Sequence, residues 1–315
     1  MKKGFYTAPD QSLWQGRKDA KPNEYLFQQI ECQSLSELNN KASTFALLGF
    51  CSDAGVKRNQ GRPGAKEGPN VLKQTMASLP LQKEVSIIDA GNVECPDDEL
   101  EQAQEQLGEA VFELLNNKCR PILLGGGHET AWGHYQGITK HIGDEDLAII
   151  NIDAHLDLRP LVNGKLGSSG TPFTQIAETR KKAGLNFNYY CFGIQTTANT
   201  KNLFHTAKEL DVQYIPANDM HKNMQSSLEL IDAILKKHKY IYLTICLDAF
   251  GSYLAPGVSA PQINGITLEQ AATLIKPLIK SNKLLSSDIV EYAPCFDCDH
   301  KTAKLATHLI SLFLA

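Results

Sequence analysis

Nowhere do the 315 residues approach the ~20 consecutive apolar residues of a membrane span. The opening MKKGFYTAPDQSLWQG carries two lysines, but no apolar segment of about 7–15 residues follows, so a secretory signal is not expected. A basic excess is missing as well. The 31 Lys and Arg stand against 35 Asp and Glu, a formal net charge of −4, which gives nucleic acid no electrostatic footprint. Internal repeats and low-complexity tracts are absent. At 42% apolar and 21% charged, the composition excludes the disordered and collagen-like classes. The chain has neither GxGxxG nor a glycine run followed by Lys-Ser/Thr, so the common phosphate cradles are not expected. What remains is a globular protein expected in the cytoplasm, with no nucleic-acid or membrane partner.

Cysteine is comparatively abundant. The eight are scattered, and a chain this long builds a core without disulfide staples. In a reducing compartment each is a buried small hydrophobe, a metal ligand or a reactive group. From about residue 44 short apolar runs alternate with amphipathic stretches. Strands are expected at 44–50, 85–91, 121–127, 147–153, 188–194, 212–216, 240–248 and 284–292. Helices are expected at 97–118, 224–239, 267–281 and 301–314. Runs rich in Val, Ile, Leu, Phe and Tyr without clean alternation suit strands buried on both faces of a parallel sheet. The βα order predicts one doubly wound domain over 44–315 with about eight strands, preceded by an extension over 1–43 with little structure of its own.

In such sheets ligands bind beyond the carboxyl ends of the strands. There the sequence concentrates its chemistry. One strand runs into Gly125–Gly127, His128 and Glu129, and another into Asp153-Ala154-His155-Leu156-Asp157. A third runs into Cys246-Leu247-Asp248 and a fourth into Glu291. Alternation lets Asp153, His155 and Asp157 converge. With His128 they form a mononuclear site for Mn²⁺, Fe²⁺ or Zn²⁺, and with Asp248 a two-metal site. Turn and capping roles are the plain reading of each residue alone. Three acids and imidazoles at alternating positions beside a second histidine weaken it.

GGGHE (125–129), NIDAHLDLR (151–159), ICLDAF with APG (245–257) and DIVEYAP (288–294) resemble, in order and spacing, the arginase or ureohydrolase family. GVKRNQGRPGAKEGP (55–69), SSGTPF (168–173), APGVSAP (255–261) and FGIQTTANT (192–200) resemble its formimidoylglutamase branch more than arginase or agmatinase. The resemblance implies a three-layer α/β/α fold with a mostly parallel eight-stranded sheet and two Mn²⁺ ions per subunit. It implies His128, Asp153, His155, Asp157 and Asp248 as metal ligands, with Asp153 bridging. It also implies Mn-dependent hydrolysis of N-formimidoyl-L-glutamate to L-glutamate and formamide, a step of histidine degradation. Asp157 would handle a proton, and Glu291 would face the cationic formimidoyl nitrogen. Arg159 would grip a substrate carboxylate, with Arg58 and Arg62 as further candidates beside a solvated-loop reading. A homo-oligomer, trimer or hexamer, is implied too.

One departure stands out. The family usually has Asp-x-Asp where this chain has Cys246-Leu247-Asp248, and the APG spacing sets the thiol at the first, normally bridging, aspartate. Thiolate prefers Zn²⁺ to Mn²⁺, which makes Cys246 a candidate ligand and the second metal doubtful. Cys51 ends another strand, and a disulfide with Cys246 would remove the thiol from the metal. Cys295-Phe296-Asp297-Cys298 is a single C-x-x-C with no second pair, a weak zinc or redox signal. Two other readings remain: an agmatinase or other guanidino hydrolase, and a metal-poor relative with a binding or structural role.

Overall fold

Ten strands form one sheet in the computed structural model, which describes residues 2–40 and 44–315. They are Tyr6–Thr7 (β1), Glu31–Cys32 (β2), Phe45–Cys51 (β3), Ile87–Glu94 (β4), Arg120–Leu124 (β5), Leu147–Ile152 (β6), Asn188–Ile194 (β7), Gln213–Pro216 (β8), Tyr240–Cys246 (β9) and Leu284–Val290 (β10). The order across the sheet is β1-β4-β3-β5-β10-β9-β6-β7-β8, with β2 also paired to β4. Every pairing is parallel except β1 with β4. The eight strands expected from sequence are all present. The two extra ones, two residues each, come from the amino-terminal segment, where the apolar pattern is too short to register as strand. The boundary drawn at 43/44 abuts residues 41–43, which lie outside the described residues.

Among the described residues ten α-helices flank the sheet: Ala54–Arg58 (α1), Gly68–Ala77 (α2), Leu100–Asn116 (α3), Thr130–Ile142 (α4), Pro172–Lys182 (α5), Lys201–Glu209 (α6), Ala217–Lys222 (α7), Gln225–Lys237 (α8), Leu268–Lys280 (α9) and Lys301–Leu314 (α10). Strand alternation splits the core in two. Leu47, Ile122, Ile150, Leu243 and Ile289 face α2, α9 and α10 in one cluster, with Leu274 and Leu309. Their neighbours Leu48, Leu123, Ile149 and Tyr242 face α3 and α4 in the other, with Leu107, Val111 and Ile138. Both faces of the central strands are therefore dry, which is why their sequences read as continuous apolar runs. Each such buried side chain contributes about 1.5–3 kcal/mol.

The amino-terminal segment is fastened through a buried charge. Lys73, on α2, donates to Asp89 Oδ1 at 2.7 Å, Asn92 Oδ1 at 2.8 Å and the Gly91 carbonyl at 3.0 Å. The buried Trp14 indole donates to the other oxygen of Asp89 at 2.9 Å. Among the described residues no helix is long and apolar enough to cross a membrane.

Candidate metal centre

The four central strands β5, β10, β9 and β6 lie side by side, so their carboxyl ends meet. His128 follows β5 across Gly125–Gly127 and precedes α4. Glu291 follows β10 with φ of 68°, and Asp157 lies beyond β6 with φ of 48°. Left-handed backbone at a non-glycine residue costs of order 1–3 kcal/mol and gathers at functional sites. Cys246 ends β9, and Asp248 sits in the single 3₁₀ turn after it.

Two ligand groups form around one carboxylate. His128, Asp153 and Cys246 make the first and Asp153, His155 and Asp248 the second, each with candidate ligand atoms within 4.8 Å of one another. Asp153 Oδ2 stands 2.9 Å from His128 Nδ1, while Oδ1 stands 3.5 Å from His155 Nδ1. Asp157 Oδ2 lies 3.0 Å from the same His128 nitrogen, and Asp248 Oδ2 lies 3.1 Å from His155 Nδ1. One carboxylate thus serves two adjacent groups, the arrangement a two-metal site needs.

Apart from the Cys246 thiol, the donor set of carboxylates and imidazoles fits divalent cations such as Mn²⁺. His128 Nδ1 and Asp248 Oδ1 are buried with no hydrogen-bond partner, although oxygen atoms stand about 3 Å from that nitrogen. Spacings near 3 Å are short enough for these atoms to share one cation with bonds of about 2.1 Å. The tautomer agrees. Thr244 donates its one proton to Asp288 at 2.5 Å, so it accepts from His128 Nε2 at 3.0 Å. A neutral His128 then turns its Nδ1 lone pair toward two carboxylates, which a cation between them would satisfy.

Electrostatics point the same way. Burial raises Asp157, Asp248, Glu291 and the Cys246 thiol above their ordinary values, with neighbouring carboxylates adding to the effect. Burial pulls against ionisation of Asp153, but His128 and His155 hold it below the usual carboxylate range. Both imidazoles are raised well above theirs despite burial, chiefly by Asp153 with Asp157 at His128 and by Asp248 and Asp153 at His155. Four carboxylates and a thiol are thus crowded with two imidazoles in a dry pocket, where a bound cation would favour the ionised acids and the neutral imidazoles.

A cavity of about 300 Å³ opens over these groups. His128, His155, Asp157, Cys246, Asp248 and Glu291 form its floor. Arg159, Arg62, Ser169, Asn59 and Asn199 are among its walls.

Residues 43–315 match the model of the arginase family. The chain belongs to the arginase family. It is 44% identical to a formimidoylglutamase of Legionella pneumophila (strain Lens) over 311 residues, covering 98% of this chain and 97% of that protein. It is 40% identical to one of Clostridium tetani over 320 residues, covering 97% and 94%. Among solved structures, a formiminoglutamase of Trypanosoma cruzi with Mn²⁺ superposes with a TM-score of 0.79 at 23% identity, covering 90% of this chain and 97% of that one. A formimidoylglutamase of Bacillus subtilis superposes at 0.80 with 18% identity, covering 95% and 92%. Both share the three-layer fold.

Within this arginase-family fold, two sequence expectations need correction. Arg58 does not reach the cavity. Its guanidinium pairs with both oxygens of Glu101 at 2.5 and 3.0 Å and donates to the Gly167 carbonyl. Arg62 lines the cavity but spends Nε on the Ser259 carbonyl at 2.9 Å and Nη2 on that of Val258 at 2.6 Å, over the Phe296 ring. Arg159 lines it with no carboxylate partner among the described residues. The Cys51–Cys246 disulfide is ruled out. β5 and β10 separate β3 from β9, so three strand spacings of about 4.8 Å intervene where a disulfide tolerates about 7 Å between Cα atoms. Cys295 and Cys298 are exposed and join no metal-binding group among the described residues.

Four contributors were given no role from sequence. Thr244 and Asp288 support His128, and the period-two spacing of Thr244, Cys246 and Asp248 could have exposed the first. Asn199 braces the Asp153–Asp157 loop, accepting from Leu156 N–H at 2.9 Å and donating to the Ala154 carbonyl at 2.8 Å. Glu129, raised to about 7 by burial, accepts from Ser52 Oγ at 3.0 Å and Gly55 N–H at 2.9 Å. It ties the loop after β3 to the His128 turn, a long-range contact that no local signal carries.

Proposed function

We propose that this chain hydrolyses N-formimidoyl-L-glutamate to L-glutamate and formamide, a step of histidine degradation, with two Mn²⁺ ions. The observation that carries the reading is near-full-length identity of 40–44% to formimidoylglutamases of several bacteria. The two groups sharing Asp153 support it. The first ion would be held by His128, Asp153, Asp157 and Cys246, the second by Asp153, His155 and Asp248. Bound there, the ions supply Lewis acidity and an activated water at neutral pH.

The remaining work belongs to the chain. One oxygen of Glu291 is held by the His128 N–H at 2.8 Å, which orients the carboxylate toward the cationic formimidoyl nitrogen. The Arg159 guanidinium takes a substrate carboxylate bidentately, and Arg62, with donors left over, faces the second. Asp157, on the cavity floor, passes a proton to the leaving amine nitrogen. Water contributes oxygen to the formimidoyl carbon. The bond from that carbon to the glutamate nitrogen breaks, and the leaving nitrogen takes up a proton.

The same reading places the enzyme in the cytoplasm as a homo-oligomer, trimer or hexamer. The exposed Ile263 and Tyr253 support an interface on their face. The test is release of glutamate by the Mn²⁺-loaded protein. Arg159→Ala is expected to raise KM by about 10–100-fold, the worth of a charge-assisted bidentate contact. Turnover of agmatine or arginine with no glutamate released would overturn the assignment.

A further inference from the structure

Behind His128 lies a buried polar chain that the reaction itself does not touch. In the parallel register of β10 and β9, Asp288 pairs directly with Thr244. Asp288 Oδ1 accepts the Thr244 hydroxyl at 2.5 Å. Its Oδ2 accepts the Tyr242 hydroxyl at 2.5 Å and faces His134 Nδ1 at 2.7 Å. His134 is on α4, the helix that His128 precedes, and its other nitrogen meets Ser286 Oγ at 2.6 Å. All five are buried. An acid and a histidine in a dry sheet–helix interface are costly unless every group is satisfied, so their presence calls for a role beyond packing.

The direction of these bonds supplies one. A threonine hydroxyl has a single proton. Committed to Asp288, it leaves Thr244 Oγ1 as an acceptor only, so His128 must present Nε2–H and keep its Nδ1 lone pair for the centre. We infer that Asp288, held by Tyr242 and His134 and acting through Thr244, is a positioning residue that sets the His128 tautomer and thereby the affinity of the His128 side of the centre for its metal ion. The inference rests on the metal centre proposed above but not on the identity of the substrate.

Isosteric variants separate polarity from packing. In Asp288→Asn, Tyr242 and His134 still donate to the amide oxygen, so the amide nitrogen faces Thr244. It donates there, turns the hydroxyl proton onto His128 Nε2, and forces the Nδ1–H tautomer against the metal. Thr244→Val deletes the hydroxyl, whereas Thr244→Ser keeps it. Mn²⁺ titration of metal-stripped full-length protein, followed by calorimetry and metal analysis, reads the outcome without substrate. Asp288→Asn and Thr244→Val are each expected to weaken one of two sites by about 10–100-fold, leaving the other near wild type, with Thr244→Ser within a few-fold. Wild-type affinity at both sites in folded Asp288→Asn would overturn the inference. So would a loss in Thr244→Ser as large as in Thr244→Val, a comparison that stands if Asp288→Asn does not fold. A wild-type chain that takes up no Mn²⁺ would instead defeat the metal reading itself.

Discussion

Asp153 turns its two oxygens to different histidines, and that single side chain makes two groups into one centre. At this scale the sequence was readable. Asp153, His155 and Asp157 do meet, but β6 ends at Ile152 and they follow it in bends, with Asp157 left-handed, so the turns of this loop rather than strand alternation bring them together. Cys246 illustrates the limit. Its position beside His128 and Asp153 is that of a ligand, but burial and the surrounding carboxylates push its thiol well above the ordinary value. Binding through sulfur therefore demands a costly deprotonation, whereas an aspartate offers a hard oxygen. Cys246→Asp is expected to tighten Mn²⁺ at the His128 side by on the order of tenfold or more, read by Mn²⁺ titration under reductant. Unchanged affinity would put the thiol outside the coordination sphere.

At the scale of elements, the site is held by loops that touch backbone to backbone. A Cβ at Gly126 would lie 1.8 Å from the Ser52 carbonyl oxygen. The neighbouring Gly127 N–H donates to that same oxygen, and the Gly126 carbonyl accepts from Glu291 N–H. Three strand ends are thus locked through one glycine turn. Gly126→Ala is expected to cost about 1–3 kcal/mol in urea unfolding and to weaken metal binding by shifting His128 and Glu291 together. A stability and metal affinity equal to wild type would show that the loops part freely. From sequence this run was visible as a glycine-rich strand end, but not what it packs against. The same gap explains Arg58, a plausible carboxylate ligand until α3 brings Glu101 beside it.

For the whole molecule, the parallel sheet was legible because strands buried on both faces must be apolar throughout. The amino-terminal segment was not. Its strands are two residues long, and its anchorage depends on Trp14 meeting Asp89 from 75 residues away. Lys73 and Asp89 are both essentially inaccessible, at 1% and 0% side-chain exposure. Removing the cation leaves the carboxylate buried and unpaired, so Lys73→Ala is expected to cost about 3–5 kcal/mol and to loosen the amino-terminal segment. Urea unfolding with Trp14 fluorescence reads both effects, and a loss under 1 kcal/mol would mean that water replaces the ammonium.

Taken by itself, the sequence determined the layered α/β architecture, the strand ends that carry the chemistry and the residue types of a two-metal hydrolase. These follow from local periodicity and from the residue types that stand just beyond the apolar runs. Only the tertiary structure decided which arginine faces the cavity, that Cys51 and Cys246 lie too far apart to bond, and that Thr244 and Asp288 stand behind His128. Those outcomes depend on which strands become neighbours and in what register, and such contacts are set by packing between segments far apart in the chain.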